Sequence, residues 1–165
     1  MEQDFDAFCR REYEGVFRAS YALAGDRQLA EDATQEAFGR AFARWARLSS
    51  EAWAAGWVMT TALNVCRRHH RMERRIWRFW SPESKQTVSA VERTDVVAAL
   101  RTLPPRQRQA VILHYLGDLP VQQVADLMNT TDGTIKAYLF RGRAALREAL
   151  GGPTQASRQE AVNEH

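Results

Sequence analysis

Apolar residues along this chain recur every three or four positions, and no stretch alternates with a period of two. Side chains repeating about every 3.6 residues line one face of a helix, whereas a half-buried strand needs every second residue apolar. The chain is therefore expected to be all-α: two small helical domains joined by a flexible linker, the second a helix-turn-helix. Phe5, Phe8, Cys9, Tyr13, Val16, Phe17 and Tyr21 outline a first helix. Gly25-Asp26 closes it and starts a second, with Asp26 as N-cap, because its carboxylate can accept from an unpaired amide of the first turn. The second helix runs to about residue 45, with Phe38, Phe42 and Trp45 on one face. Residues 47–51 read as a short loop, and a third helix follows from about 52 to the Arg74 region.

The periodicity fades over residues 81–94, which carry Ser, Pro, Gln and Thr and read as a linker. This divides the chain into 1–80, the linker 81–94, a second domain over 95–150 and a disordered tail over 151–165. The cluster at 76–80, Ile-Trp-Arg-Phe-Trp, is expected to pack back on the first domain or on a partner. In the second domain Val96, Val97, Leu100 and Leu103 give a short helical face. Pro104 ends it, and Pro105 suits the first turn of the next helix, where its missing N–H costs nothing. That helix, about 105–116, is expected to bury Val111, Ile112, Tyr115 and Leu116. Gly117-Asp118 breaks it, and a brief helix follows over 121–128. Asn129-Thr130-Thr131 reads as a tight turn, since Asn tolerates the left-handed conformation.

Charge is where function enters. The 165 residues carry 23 Lys and Arg against 20 Asp and Glu, a net of only +3, yet the cations are nearly all arginine and are clustered. Arginine forks onto phosphates and base edges better than lysine does. Residues 64–80 hold six arginines and two histidines with one acid, Glu73. The last helix sorts its faces: Ile135, Leu139, Gly142, Leu146 and Leu150 form a core seam. Lys136, Phe140, Arg143 and Arg147 form the adjoining stripe, with Ala137 and Arg141 beside it. Cations for phosphates, Arg for guanine and small or apolar groups for a thymine methyl suit the major groove. A short helix, a tight turn and a basic helix with a polar start, here Thr134, complete a helix-turn-helix pattern.

Other readings are excluded or left open by residue type. Asp32, Gln35 and Glu36 share one helix face; with no His or further acid nearby in sequence, the patch suits solvent or a docking protein rather than acid–base catalysis. Trp53 and Trp57 precede Asn64, Arg67, Arg68 and Arg71, and both core packing and stacking of unpaired bases are open to them. Cys66, His69 and His70 lie within one turn, but flanking arginines oppose a cation and no fourth ligand is evident. No metal, cofactor or enzymatic activity is expected. Two cysteines make no disulfide framework and read as reduced thiols. Residues 1–6 are acidic rather than signal-like, and 52–66 are too short and polar to span a bilayer, so the cytoplasm is expected.

Three motifs then carry a resemblance. "GDRQLAEDATQEAFGRAFARW", "WVMTTALNVCRR" and "LRTLPPRQRQAVILHYLGDLPVQQVADLMNTTDGTIKAYLFRGRAALR" are similar, in this order, to those of sigma-70-type RNA polymerase sigma factors of the extracytoplasmic-function group. The likeness covers about residues 5–75 and 96–150. It implies a promoter-specificity subunit without catalysis of its own. Asp32, Gln35 and Glu36 would dock on the clamp helices of core RNA polymerase. The 47–52 loop, Trp57, Asn64, Arg67, Arg68 and Arg71 would hold the melted minus-ten strand. Thr134, Lys136, Ala137, Phe140, Arg141 and Arg143 would read minus-thirty-five promoter DNA. Group members are commonly restrained by an anti-sigma factor. The chain departs from the family pattern at Ala137-Tyr138, where Ser-Arg is usual, and at Asn129-Thr130, where Gly-Val is usual. A stand-alone helix-turn-helix regulator is the alternative, but it leaves the acidic face and the 67–75 arginines without a task.

Overall fold

The structure, a computed structural model, describes residues 2–80 and 95–151; the linker, the tail and the side chains of the 76–80 cluster lie outside that description. Among the described residues there are eight α-helices and no strand: α1 Glu2–Ala24, α2 Arg27–Phe42, α3 Trp45–Leu48, α4 Ala54–Trp80, α5 Asp95–Arg101, α6 Pro105–Val111, α7 Val121–Leu127 and α8 Asp132–Leu150. A single π-helical turn, Ile112–Leu116, continues α6.

The first bundle packs α1, α2 and α4 against one another. The buried face of α2 is built of small residues, Ala30, Ala33, Thr34, Ala37 and Ala41, which lets neighbouring helices approach closely. Thr34 stays satisfied inside by donating its hydroxyl to the Ala30 carbonyl at 2.7 Å. Asp26 caps α2, its carboxylate accepting from the Leu29 amide at 2.7 Å. Gly25 before it has φ +65°, a left-handed position that ends α1. One end of the bundle is aromatic: the Trp45 ring lies 5.1 Å from Phe5 and 4.9 Å from Phe8, and Phe8 is 6.1 Å from Phe38. Such tilted and edge contacts suit the ring quadrupoles. Trp45 also begins α3, so the expected 47–51 loop is half helix: Arg47 and Leu48 close a short turn that buries Leu48.

The second bundle holds α8 against α5, α6 and α7. Pro105 takes the first turn of α6 as anticipated. The turn between α7 and α8 is a Schellman motif: the Thr130 amide donates to the Ala125 carbonyl at 2.9 Å and the Asn129 amide to Asp126 at 3.2 Å. Asn129 sits at φ +51°, the left-handed residue that this motif requires. Arg106 adds a bond to the Met128 carbonyl at 2.8 Å, tying α6 to the same turn. Thr131 then caps α8 by accepting from the Thr134 amide at 3.2 Å.

Four residues expected to face inward are exposed. Tyr115 and Leu116 are 49% and 46% exposed, because the π-turn widens the helix and rotates its last residues off the α6 seam. Leu150 is 45% exposed, since α8 reaches its last residues at the edge of the bundle. Val96 also faces outward while Val97, Leu100 and Leu103 are buried.

Helices α8 and α6 approach closely at Gly142, where a Cβ would come within 2.5 Å of Val111 Cγ2. Valine is stiff at χ1 and cannot fold away. Gly142→Leu is expected to destabilise the chain by about 1–3 kcal/mol through overpacking, read as a lower urea midpoint with an unchanged slope.

Candidate nucleic-acid and protein interfaces

The first surface is the outer face of α2. Asp32, Gln35 and Glu36 are all exposed, opposite the buried Ala33, Ala37 and Phe38. Asp32 accepts from the Gln28 amide at 3.0 Å, and Glu36 accepts from Arg40 one turn on. Glu36 also reaches Arg68 of α4 at 3.9 Å. Exposed ion pairs of this kind contribute little stability, so their carboxylates can be traded to an incoming cationic partner at small cost.

The second surface is α4, 27 residues long. Val58, Met59, Ala62, Leu63 and Cys66 are buried along one side. Trp57, Asn64, Arg68 and Arg71 fall at i, i+7, i+11 and i+14, a single stripe on a helix. Asn64, Arg68 and Arg71 are exposed, and Trp57 is half-buried with the Arg44 guanidinium 5.8 Å over its ring. Arg67 is turned aside from this stripe and half-buried; its Nη1 donates to Gln109 Oε1 of α6 at 2.9 Å. Burial first, then the nearby charges of Arg106 and Arg71, lower its pKa from the usual arginine value. Trp53, at the turn before α4, is exposed.

A cavity of about 600 Å³ opens beside the start of α4, lined by Asp4, Arg11, Trp45, Ser49, Ser50 and Glu51 among others. The Trp45 indole N–H is buried with no hydrogen-bond partner among the described residues. A cavity of that size, walled by an aromatic ring and polar loop groups, can take a flat heterocycle.

The Cys66, His69 and His70 group separates in three dimensions. The Cys66 thiol points into the core, 4.0 Å from the Ser20 carbonyl, and burial pushes its pKa up to about 12. His69 and His70 lie instead beside Glu73, at 3.5 and 3.6 Å. Among the described residues no three His, Cys, Asp or Glu side chains are placed to share a metal ion.

The third surface is α8. Ile135, Leu139 and Gly142 are buried, while Lys136, Phe140, Arg141, Arg143 and Arg147 are exposed and Ala137 is half-buried. Phe140 is 69% exposed, a large apolar ring left in water among cations. Thr134 is occupied in the cap, its hydroxyl 3.0 Å from that of Thr131 as well. The sequence reading missed Thr131, which its position three residues before Thr134 could have signalled. It also missed Gln109, whose partners are distant in sequence and leave no local signal. No described helix is long and apolar enough to cross a membrane.

Comparison with known proteins gives two matches along the chain. A family model of sigma-70 region 2 matches residues 8–76, and one of sigma-70, region 4 matches residues 93–146. The ECF RNA polymerase sigma factor SigE of Mycolicibacterium smegmatis is 29% identical over 95% of this chain, which spans 65% of that relative. The RNA polymerase sigma-E factor of Streptomyces coelicolor is 25% identical over 89% of this chain and 86% of its own. Among solved structures, the sigma factor RpoE of Bartonella quintana, determined in complex with the anti-sigma factor NepR, superposes with a TM-score of 0.76. It covers 92% of this chain and 99% of its own at 22% identity, a likeness of fold.

His70 gives a pH prediction. It is half-buried, facing Glu73, Arg101 and His69, and desolvation outweighs the Glu73 carboxylate to lower its pKa from 6.5. The unfolded chain then binds the proton more readily, so this group's contribution is intact above about pH 6.5 and is lost as pH falls through the depressed folded value. Urea midpoints at pH 7.5 and 5.5 should fall less for His70→Gln than for the unaltered chain.

Proposed function

The chain belongs to the extracytoplasmic-function group of the sigma-70 family, and from that premise we infer how it works: as a promoter-specificity subunit that joins core RNA polymerase and directs initiation. The observation that carries this reading is the exposure, on one chain, of three chemically distinct helix faces with three different jobs. The acid-and-amide face of α2 suits the cationic surface of a protein partner, and the proposal gives Asp32, Gln35 and Glu36 the docking on the polymerase clamp helices. The stripe on α4 suits a single strand, because aromatic groups stack on bases and arginines neutralise phosphates. Trp57, Asn64, Arg67, Arg68 and Arg71 hold the melted minus-ten element in this reading. The cavity beside Trp45, Ser49 and Ser50 takes a base turned out of the stack.

The stripe on α8 suits duplex DNA. Lys136, Arg141 and Arg143 meet minus-thirty-five phosphates and base edges, Ala137 and Phe140 offer apolar contact to a thymine methyl, and Thr134 lies at the helix start nearest the groove. The subunit performs no chemistry itself, works where the polymerase is, in the cytoplasm, and requires no cofactor. Control comes from a separate anti-sigma protein. A stand-alone regulator would use α8 alone and leave the faces of α2 and α4 idle.

Reconstitution tests the reading: purified chain with core polymerase should start transcripts at specific genomic promoters, and a failure on every genomic fragment refutes it. Reversing Asp32 and Glu36 to Lys should weaken assembly with core about ten-fold or more, roughly 1.4 kcal/mol or above, in a binding titration. Lys136→Ala should weaken duplex binding evenly across sequences and lower the salt slope by about 1, whereas Arg143→Ala should also relax base preference.

A further inference from the structure

Gly39 lies three residues before the end of α2, inside regular helical winding. Glycine weakens a helix interior relative to alanine, so its place there needs a reason. A crowding neighbour is one such reason, and at two other helical positions the structure has it. A Cβ would meet Val111 Cγ2 at 2.5 Å from Gly142 and Gln123 Nε2 at 2.8 Å from Gly56. At Gly39 a Cβ would meet nothing within 4 Å. Neither packing within the described chain nor a left-handed turn calls for this glycine.

Its surroundings on the surface supply the setting. Gln28, Asp32, Gln35, Gly39 and Phe42 follow one another at alternating steps of four and three residues, and all of them are exposed. Such spacing makes a straight ridge along which a second helix packs lengthwise, its axis crossing at about 20°. The ends of the ridge differ in chemistry. Amide and carboxylate groups stand at its start, and Phe42, 56% exposed with its ring 5.1 Å from Phe5, stands at its finish.

Without a side chain, position 39 is a pit in this ridge. Residues three and four positions away on a helix are surface neighbours, so Gln35, Glu36, Phe42 and Ala43 form the walls and bare backbone the floor. One carboxylate, one carboxamide and one phenyl ring around an apolar floor match a long basic side chain. Its aliphatic stem lies on the backbone and against Phe42, and its head reaches Glu36 and Gln35. Glu36 is held in the free chain by exposed pairs with Arg40 and Arg68, which an incoming cation displaces at small cost.

We propose that Gly39 is the seat for the partner's helix: a helix of core RNA polymerase lies lengthwise on α2 and plants one arginine or lysine in the pit between Gln35, Glu36 and Phe42. The seat rests on the assignment of Asp32, Gln35 and Glu36 to polymerase docking. It adds the point of closest approach, the direction of the partner helix and the chemistry of the side chain that the partner inserts. The helix stability that alanine would add at position 39 is given up for that approach.

Substitution separates this role from a structural one, because stability and affinity then move in opposite directions. Gly39→Ala strengthens the helix and makes the pit shallow; Gly39→Leu fills it. Each full-length variant competes with fluorescein-labelled unaltered chain for core polymerase, read by anisotropy, and is unfolded in urea alongside. Gly39→Ala should raise the urea midpoint yet bind core about three-fold more weakly, and Gly39→Leu should bind about ten-fold more weakly or worse, as overpacking of a fitted contact requires. Gly15→Ala in α1, where a Cβ also meets nothing within 4 Å and no docking residue shares the helix, should raise the midpoint and leave affinity unaltered. Unaltered affinity in Gly39→Leu overturns the seat, and so does an equal loss from Gly15→Ala, since stiffening any helix would then be the cause. The double variant Asp32→Lys, Glu36→Lys in the same competition tells the two ideas apart. Weakened assembly there beside unaltered Gly39→Leu sinks the seat alone, whereas unaltered assembly in both sinks the docking face with it.

Discussion

Burial of the apolar side of α4 against α1 and α2 is the interaction on which everything else is hung. Val58, Ala62, Leu63 and Cys66 are fully enclosed, and each methylene so enclosed contributes about 0.8 kcal/mol. Because a helix has one rotation about its own axis, fixing that side fixes the direction of every other residue along it. Asn64, Arg68 and Arg71 face water because their neighbours on the wheel cannot. The same helix then continues as an arginine-rich rod past its own core, which is why a single element can serve the first bundle as a beam and the exterior as a rail.

The second bundle solves a different problem, that of holding a cationic helix steady with little mass behind it. It does so with backbone geometry rather than volume. The Schellman turn at Asn129, the Thr131 cap and the Arg106 bond to Met128 satisfy polar groups at the end of α7 and the start of α8. Gly142 lets α8 approach Val111 with nothing between. The outward face of α8 is left to arginine, lysine and one bare phenyl ring.

Much of this was readable from residue order because helical periodicity sorts side chains by face. The all-α class, the Asp26 cap, the Pro105 start and the left-handed Asn129 are local matters, decided within four or five residues. What was not readable is equally physical. Tyr115 and Leu116 were assigned inward on a 3.6-residue repeat, and the π-turn breaks that repeat. Leu150 fits the seam by angle, but burial needs a neighbour and α8 ends at the edge. The Gln109 contacts to Arg67 and Asn64 join residues more than forty positions apart; no pattern within a helix encodes them. The surface stripes were therefore accessible to sequence reasoning, whereas contacts between distant helices were not.

The π-turn at Ile112–Leu116 carries a consequence for how such chains tolerate change in length. It inserts extra backbone into a helix without breaking it, and His114 stitches the widened coil to the Leu119 carbonyl at 2.7 Å. Removing one residue there would restore ordinary winding at little cost in direction, because each residue of the wider turn sweeps less than the about 100° of an α-helix. The five residues of the bulge advance the chain by nearly the angle that four would in regular winding. Length can therefore change by one at this point while α7, α8 and the arginine stripe keep their bearing, as slack in a rope leaves its far end where it was.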